Sequence, residues 1–169
     1  SDENGDGIVS SYTKAFRNLI YVQHGKRFDV DTRPYLPVML ESGAPEFTMK
    51  CGRQIGKTTK ICGILQLHGV TTPGYGHMYI TPRGDQAKDV SRNKFSVMMR
   101  NSPYLSKFVP GVRSRDESWQ LGMKMLKNGA HFYFMSAYHT ADAIRGRSAG
   151  YIVKDEIQDL ISDHMAAID

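Results

Sequence analysis

"CGRQIGKTT", residues 51–59, decides how this chain is read. Its second half, Gly56-Lys57-Thr58, completes the phosphate-loop pattern G-x-x-x-x-G-K-[ST], while Cys51 stands where the first glycine belongs. A phosphate cradle needs backbone N–H groups converging on an anion at a helix N-terminus. It also needs a lysine for the β- and γ-phosphates and a hydroxyl for a magnesium ion. Gly56, Lys57 and Thr58 supply that half of the chemistry. The first glycine relieves steric strain where a strand turns into the loop. A small residue such as Cys51 replaces it when its dihedrals are not left-handed, and Gly52 gives the turn further freedom.

The flanks supply the context that such a loop requires. "EFTMK" (46–50) reads as a buried strand running into it. From Lys57, Ile61, Ile64, Leu65 and Leu67 recur at helical spacing, and Gly69 predicts the helix end. Further on, "HMYIT" (77–81) reads as a strand and 84–101 as a helix with Ala87, Val90, Phe95 and Met98 inward. Lys88 and Arg92, four apart, share its other side. Residues 118–137 read as a hairpin around Asn128-Gly129, a strong turn signal, with Trp119 in the core. Residues 12–24 predict a helix with Phe16, Leu19, Ile20 and Val22 near one face, and Pro34 and Pro37 restrict a short loop-helix segment after it.

"GYIVKDE" (150–156) is the second stretch with chemistry: an apolar strand ending in two acids, with a helix expected from about Ile157. Carboxylates at a strand's C-terminal edge face the crevice where α/β sheets bind ligands. Asp155 there would hold a magnesium ion, mainly through water, and Glu156 would polarise an attacking water. Lys154 interrupts the apolar run, but strand alternation turns it away from the core. Arg145 and Arg147 precede this strand, and Arg53 lies inside the loop; an arginine at such places can stabilise charge on a transferring phosphate.

Alternating strands and helices, opened by strand-loop-helix, predict an α/β fold. The expected form is a P-loop NTPase three-layer sandwich with a mainly parallel central sheet plus a β-hairpin. The 169 residues read as a flexible N-terminus, 1–11, and a single domain, 12–169. Asp2, Asn4, Asp6 and Gly7 imitate half a calcium loop, but Thr13 stands where that loop needs a bidentate acid. With 40% hydrophobic and 23% charged residues the composition is that of a globular chain, and no run approaches the roughly 18 apolar residues of a membrane span. No basic-then-apolar leader opens the sequence, and the two cysteines, Cys51 and Cys62, read as reduced thiols. The net charge of +5 is concentrated. Between Arg83 and Arg115 eight basic residues face two acids, a concentration that fits a polyanionic partner, with a solvated helix face as the equal alternative from charge alone.

Together these residues resemble the ATPase domain of viral large terminases, the motors that pump DNA into phage capsids. "CGRQIGKTT" is similar to that family's deviant loop, small-x-R-Q-x-G-K-T. "LKNGAHFYFMSA" is similar to its strand-turn-strand, "IRGRSAG" to its R-G-x-S segment, and "RPYLPVML" to its proline-tyrosine segment near the adenine. The resemblance covers about residues 33–162.

The resemblance implies that ATP is held by Cys51, Gly52, Arg53, Gln54, Ile55, Gly56, Lys57, Thr58 and Thr59, with magnesium on Thr58 and Asp155 and Glu156 as the hydrolytic acid. It implies Arg145 as the arginine that reaches a neighbouring subunit's nucleotide, with Arg53 able to act in cis. Leu36 replaces the family's adenine-contacting glutamine, which leaves Tyr35 or Arg33 for the base. Implied partners are double-stranded DNA, the portal protein, the small terminase subunit and further copies in a homo-oligomeric ring on the procapsid, with no membrane. The implied place is the host cytoplasm. The coupling motif and nuclease of the family are expected beyond residue 169. Two other readings compete: a superfamily-one helicase lobe, in which Gln158 senses the γ-phosphate, and a non-hydrolysing nucleotide-binding assembly module.

Overall fold

A computed structural model of the chain describes residues 11–49, 56–111, 119–137 and 149–156. Two helices come first, α1 (Tyr12–Leu19) and α2 (Tyr35–Leu40). Ser11 caps α1 by accepting from the Lys14 N–H, and Glu41, just past α2, accepts from the Thr13 N–H (2.9 Å) and the Ser11 hydroxyl (2.8 Å). Those hydrogen bonds, that from the Thr13 N–H foremost, hold the Glu41 carboxyl below its ordinary range. The expected helix over 12–24 is therefore shorter. It stops at Ile20, whose extended backbone turns the chain while Phe16 and Ile20 stay in the core.

Helix α3 (Lys57–Thr71) is the centre of the molecule. Lys60, Ile61, Cys62, Gly63, Leu65, Gln66, Leu67 and Gly69 are all buried, so the helix is covered on every side rather than along one stripe. A Cβ on Gly63 would lie 2.5 Å from the Phe16 ring, which is how α1 packs so close. On the sheet side the Phe132 ring occupies the space a Gly69 side chain would need. Gly69 is thus a packing notch, and the helix runs two residues beyond the end the sequence predicts.

The sheet has the order β2-β3-β1-β4, with β1 (Gly76–Thr81), β2 (Met123–Met125), β3 (His131–Ser136) and β4 (Tyr151–Lys154). Strand β1, buried throughout, pairs in parallel with β3 and with β4, and β2 pairs antiparallel with β3. The β2–β3 turn carries Gly129 at φ 82°, as Asn128-Gly129 predicts. Phe132, Phe134 and Tyr79 join the core shared with α3, while Met78, Ile80 and Ala137 form a smaller cluster. Trp119 packs against the larger core, as expected.

Residues 84–101 form one helical run in three pieces: α4 (Gly84–Asp89), a π-helical stretch Val90–Phe95, and α5 (Ser96–Asn101). Ala87, Val90, Phe95 and Met98 all face inward, as the pattern predicts. The step of five between Val90 and Phe95 exceeds a helical turn, and the π stretch, with its i→i+5 bond from the Ser96 N–H to the Ser91 carbonyl, absorbs the extra residue. Gln66 of α3 donates to the Phe95 carbonyl (3.0 Å) and joins this helix to the core.

The expected strand over 46–50 is a correction. Residues 46–49 form no strand, Phe47 is 53% exposed, and no strand among the described residues pairs with them; Lys50 lies outside the described residues. Two apolar side chains in five residues drive little burial, and a strand without a ladder partner has nothing to hold it. The flexible terminus read for 1–11 (apart from Ser11) and the helix expected from Ile157 also lie outside the described residues.

Candidate functional site

Gly56 precedes α3 with φ 72°, in the left-handed region. No atom lies within 4 Å of the position a Cβ would take, so the backbone conformation rather than crowding calls for glycine. Lys57, Thr58 and Thr59 follow on the first turn, each half-buried. Cys51, Gly52, Arg53, Gln54, Ile55 and Arg145 lie outside the described residues.

Across the site, β4 ends at Lys154 and the chain continues into buried Asp155 and half-buried Glu156. The Asp155 N–H donates to the Ile80 carbonyl (2.8 Å), which extends the β1–β4 ladder by one residue and fixes the carboxylate at the C-terminal edge of the sheet. Tyr151 and Val153 pack on the core while Ile152 is exposed, so alternation puts Lys154 on the side away from the core. Thr58 and Asp155, 97 residues apart, meet: the Thr58 hydroxyl points at Asp155 Oδ2 from 3.4 Å. That is long for a hydroxyl–carboxylate bond.

Two features of this carboxylate are absent from the sequence reading. Tyr79, 1% exposed on β1, donates its hydroxyl to the same Oδ2 at 2.8 Å. Burial first, and then the Asp155 charge, push the Tyr79 phenol far above its ordinary pKa, so it is a permanent donor. The other oxygen, Oδ1, accepts from the Glu156 N–H (3.0 Å), and Glu156 itself sits at φ 55°. A glutamate in the left-handed region is under backbone strain of the kind found at functional sites. Parallel pairing placed Tyr79 opposite Val153, two residues before Asp155, and only the sheet register could have revealed it.

Tyr35 and Arg33 behave differently. Tyr35, 43% exposed at the start of α2, receives a hydrogen bond from the Lys60 ammonium, which also lies over its ring at 4.5 Å from the centroid. Lys60 is fully buried, one turn beyond Lys57, so Tyr35 is tied to the helix that carries the loop residues. The Arg33 guanidinium is engaged within its own segment, on the Asp29 carbonyl, the Thr32 hydroxyl and the Phe28 ring. Leu36 is buried in the core. Cys62 is a free, buried thiol, and desolvation pushes it up to about 12.

The donor set fits a hard divalent cation with a phosphate ligand. A hydroxyl and a carboxylate oxygen converge beside a helix N-terminus, and oxygen ligands of this kind suit magnesium. An α/β fold with a mixed sheet, a helix led by Gly56-Lys57-Thr58 and a strand ending in Asp155-Glu156 is consistent with the P-loop class of nucleotide hydrolases. Within that class, the model of the phage terminase large subunit gpA, ATPase domain, matches residues 27–167, and the chain belongs to this family. It is the ATPase domain of a terminase large subunit, an ATP-hydrolysing lobe of a DNA-packaging motor. No curated protein matches the chain.

Proposed function

We propose that ATP and magnesium bind where α3 meets the end of β4, in a three-layer P-loop sandwich with a mainly parallel sheet, spanning 12–169 as one domain. The supporting observation is the approach of the Thr58 hydroxyl to Asp155 Oδ2 at 3.4 Å. The loop residues Cys51, Gly52, Arg53, Gln54, Ile55 and Gly56 turn backbone N–H groups toward the phosphates, with Thr59 behind them. Lys57 neutralises charge on the β- and γ-phosphates, and Glu156 orients the water for in-line attack on the γ-phosphate. Magnesium, held by Thr58 and through water by Asp155, supplies charge neutralisation at the β- and γ-oxygens when bound. Tyr35 offers its exposed ring to the base, a role that its tie to Lys60 favours over Arg33. Arg53 acts in cis and Arg145 on a neighbouring copy's nucleotide.

The lobe works on double-stranded DNA in a homo-oligomeric ring at the procapsid portal, with the small terminase subunit, in the host cytoplasm. Glu156→Gln tests the chemistry: it retains ATP binding and loses turnover, and near-normal turnover removes Glu156 from the role. Mixing that variant with Arg145→Ala tests the arginine. Restored turnover supports action between subunits, and no restoration contradicts it.

A further inference from the structure

Lys88, Arg92 and Arg100, among the basic residues singled out in the sequence, have no role in the nucleotide site described above. Along the helical run 84–101, Lys88, Arg92 and Arg100 are exposed, and none forms an ion pair with another described residue. The two acids of this run are otherwise engaged. Asp85 faces Arg83 at 3.7 Å, and Asp89 accepts from the Asn93 amide at 2.7 Å.

Lys124 on β2 belongs with these cations. It is 3% exposed, donates to the Gln120 carbonyl at 2.9 Å and lies over the Trp119 ring, 5.0 Å from the centroid. Burial lowers its pKa to about 8, and the charges that add to this are Arg100 and Arg92. The Ser91 hydroxyl holds the Leu121 carbonyl at 2.6 Å, which fixes the 119–124 segment against the helix. A cleft of about 490 Å³ runs beside it, lined by Lys88 on the helix and by Gln120, Leu121 and Met123 opposite.

Lys88, Arg92 and Arg100 thus leave three exposed cations on one helical run without a described carboxylate paired to them, and the Lys124 ammonium adds its charge nearby; such a concentration of positive charge attracts a polyanion. We infer that Lys88, Arg92 and Arg100, with the charge of buried Lys124 added to theirs, form a binding site for the phosphodiester backbone of duplex DNA. Lys88 to Arg100 spans roughly 18 Å of helix, too long for one phosphate or one nucleotide. Single strands need exposed aromatic platforms, and of the two aromatics here Phe95 is buried while Trp119 packs against the core with the Lys124 ammonium over its ring. The site deepens the packaging reading by saying where the lobe meets its polymer.

The chain's single tryptophan makes the site reportable, because the Lys124 ammonium lies on its ring. Titration of the chain with a random-sequence DNA duplex, followed by Trp119 fluorescence and by anisotropy of labelled duplex, reads occupancy across a salt series. Arg92→Gln with Arg100→Gln weakens duplex binding about tenfold and lowers the log–log salt slope by about 2. The control pair Lys14→Gln with Lys26→Gln, exposed elsewhere, leaves both unchanged. Three results overturn the site: no loss in the arginine pair, an equal loss in the control pair, or a Trp119 response to inorganic phosphate as large as that to duplex. ATP affinity, measured separately, is the same in all variants. A parent chain that binds duplex but not ATP fails the nucleotide reading and leaves this site standing.

Discussion

The Tyr79 hydroxyl, donating at 2.8 Å, and the Thr58 hydroxyl, at 3.4 Å, converge on one oxygen of Asp155. Tyr79, itself buried, therefore orients the carboxylate. A hydrogen bond to a charged group is worth roughly 1.5–3 kcal/mol, so Tyr79→Phe is expected to raise the magnesium needed for half-maximal ATP turnover by about tenfold. Metal-free ATP binding stays as in the parent, since no phosphate contact is removed. A magnesium dependence identical to the parent's would show that Thr58 and the Glu156 N–H position Asp155 unaided.

The parts of the site that depend on local order were legible in the sequence. Gly56-Lys57-Thr58 announced a helix start, Asn128-Gly129 a hairpin turn, and the apolar run before Asp155-Glu156 a strand, and each stands in the structure. What depends on register or packing was not legible. Tyr79 reaches Asp155 only because β1 and β4 run parallel in one particular register. The π stretch at Val90–Phe95 appeared in the sequence only as an odd five-residue step. The segment 46–49 showed an apolar pattern but lacks the pairing that makes a strand.

Gly69 gives a stability test in which two effects oppose each other. In an open helix Gly→Ala gains about 1 kcal/mol from propensity. Here the new methyl enters the Phe132 ring, which is itself held by His77 at 4.5 Å and Phe95 at 4.7 Å and cannot move aside. Overpacking costs typically 1–3 kcal/mol, so Gly69→Ala lowers the midpoint of urea unfolding. A raised midpoint would mean that the ring yields and the notch is not filled.

His77 gives the pH dependence of folding. Burial is the main cause that lowers its pKa to about 4, and the nearby His68 imidazole adds to it. The His131 carbonyl, 3.2 Å from Nδ1, opposes the shift; His68 Nδ1 lies 2.8 Å from Nε2, with Tyr75 and Tyr151 alongside. Unfolded, the imidazole titrates near its ordinary 6.5. Between these values the unfolded chain binds the extra proton, so stability is full above about 6.5 and falls as the pH drops toward 4. The slope is at most about 1.4 kcal/mol per pH unit. His77→Gln removes this component, and the variant's stability is flatter over that window. Equal slopes for parent and variant would place the titrating group elsewhere.

The ATP site proposed for this terminase lobe is the helix start at Gly56-Lys57-Thr58, facing Asp155. Calorimetric titration of ATP in magnesium, on the parent chain and on Lys57→Ala, tests it most directly. The parent is expected to bind one ATP in a magnesium-dependent way, and the variant to bind it at least about tenfold more weakly, as befits loss of a lysine on the β- and γ-phosphates. Equal affinity in the two proteins would place the ATP site elsewhere.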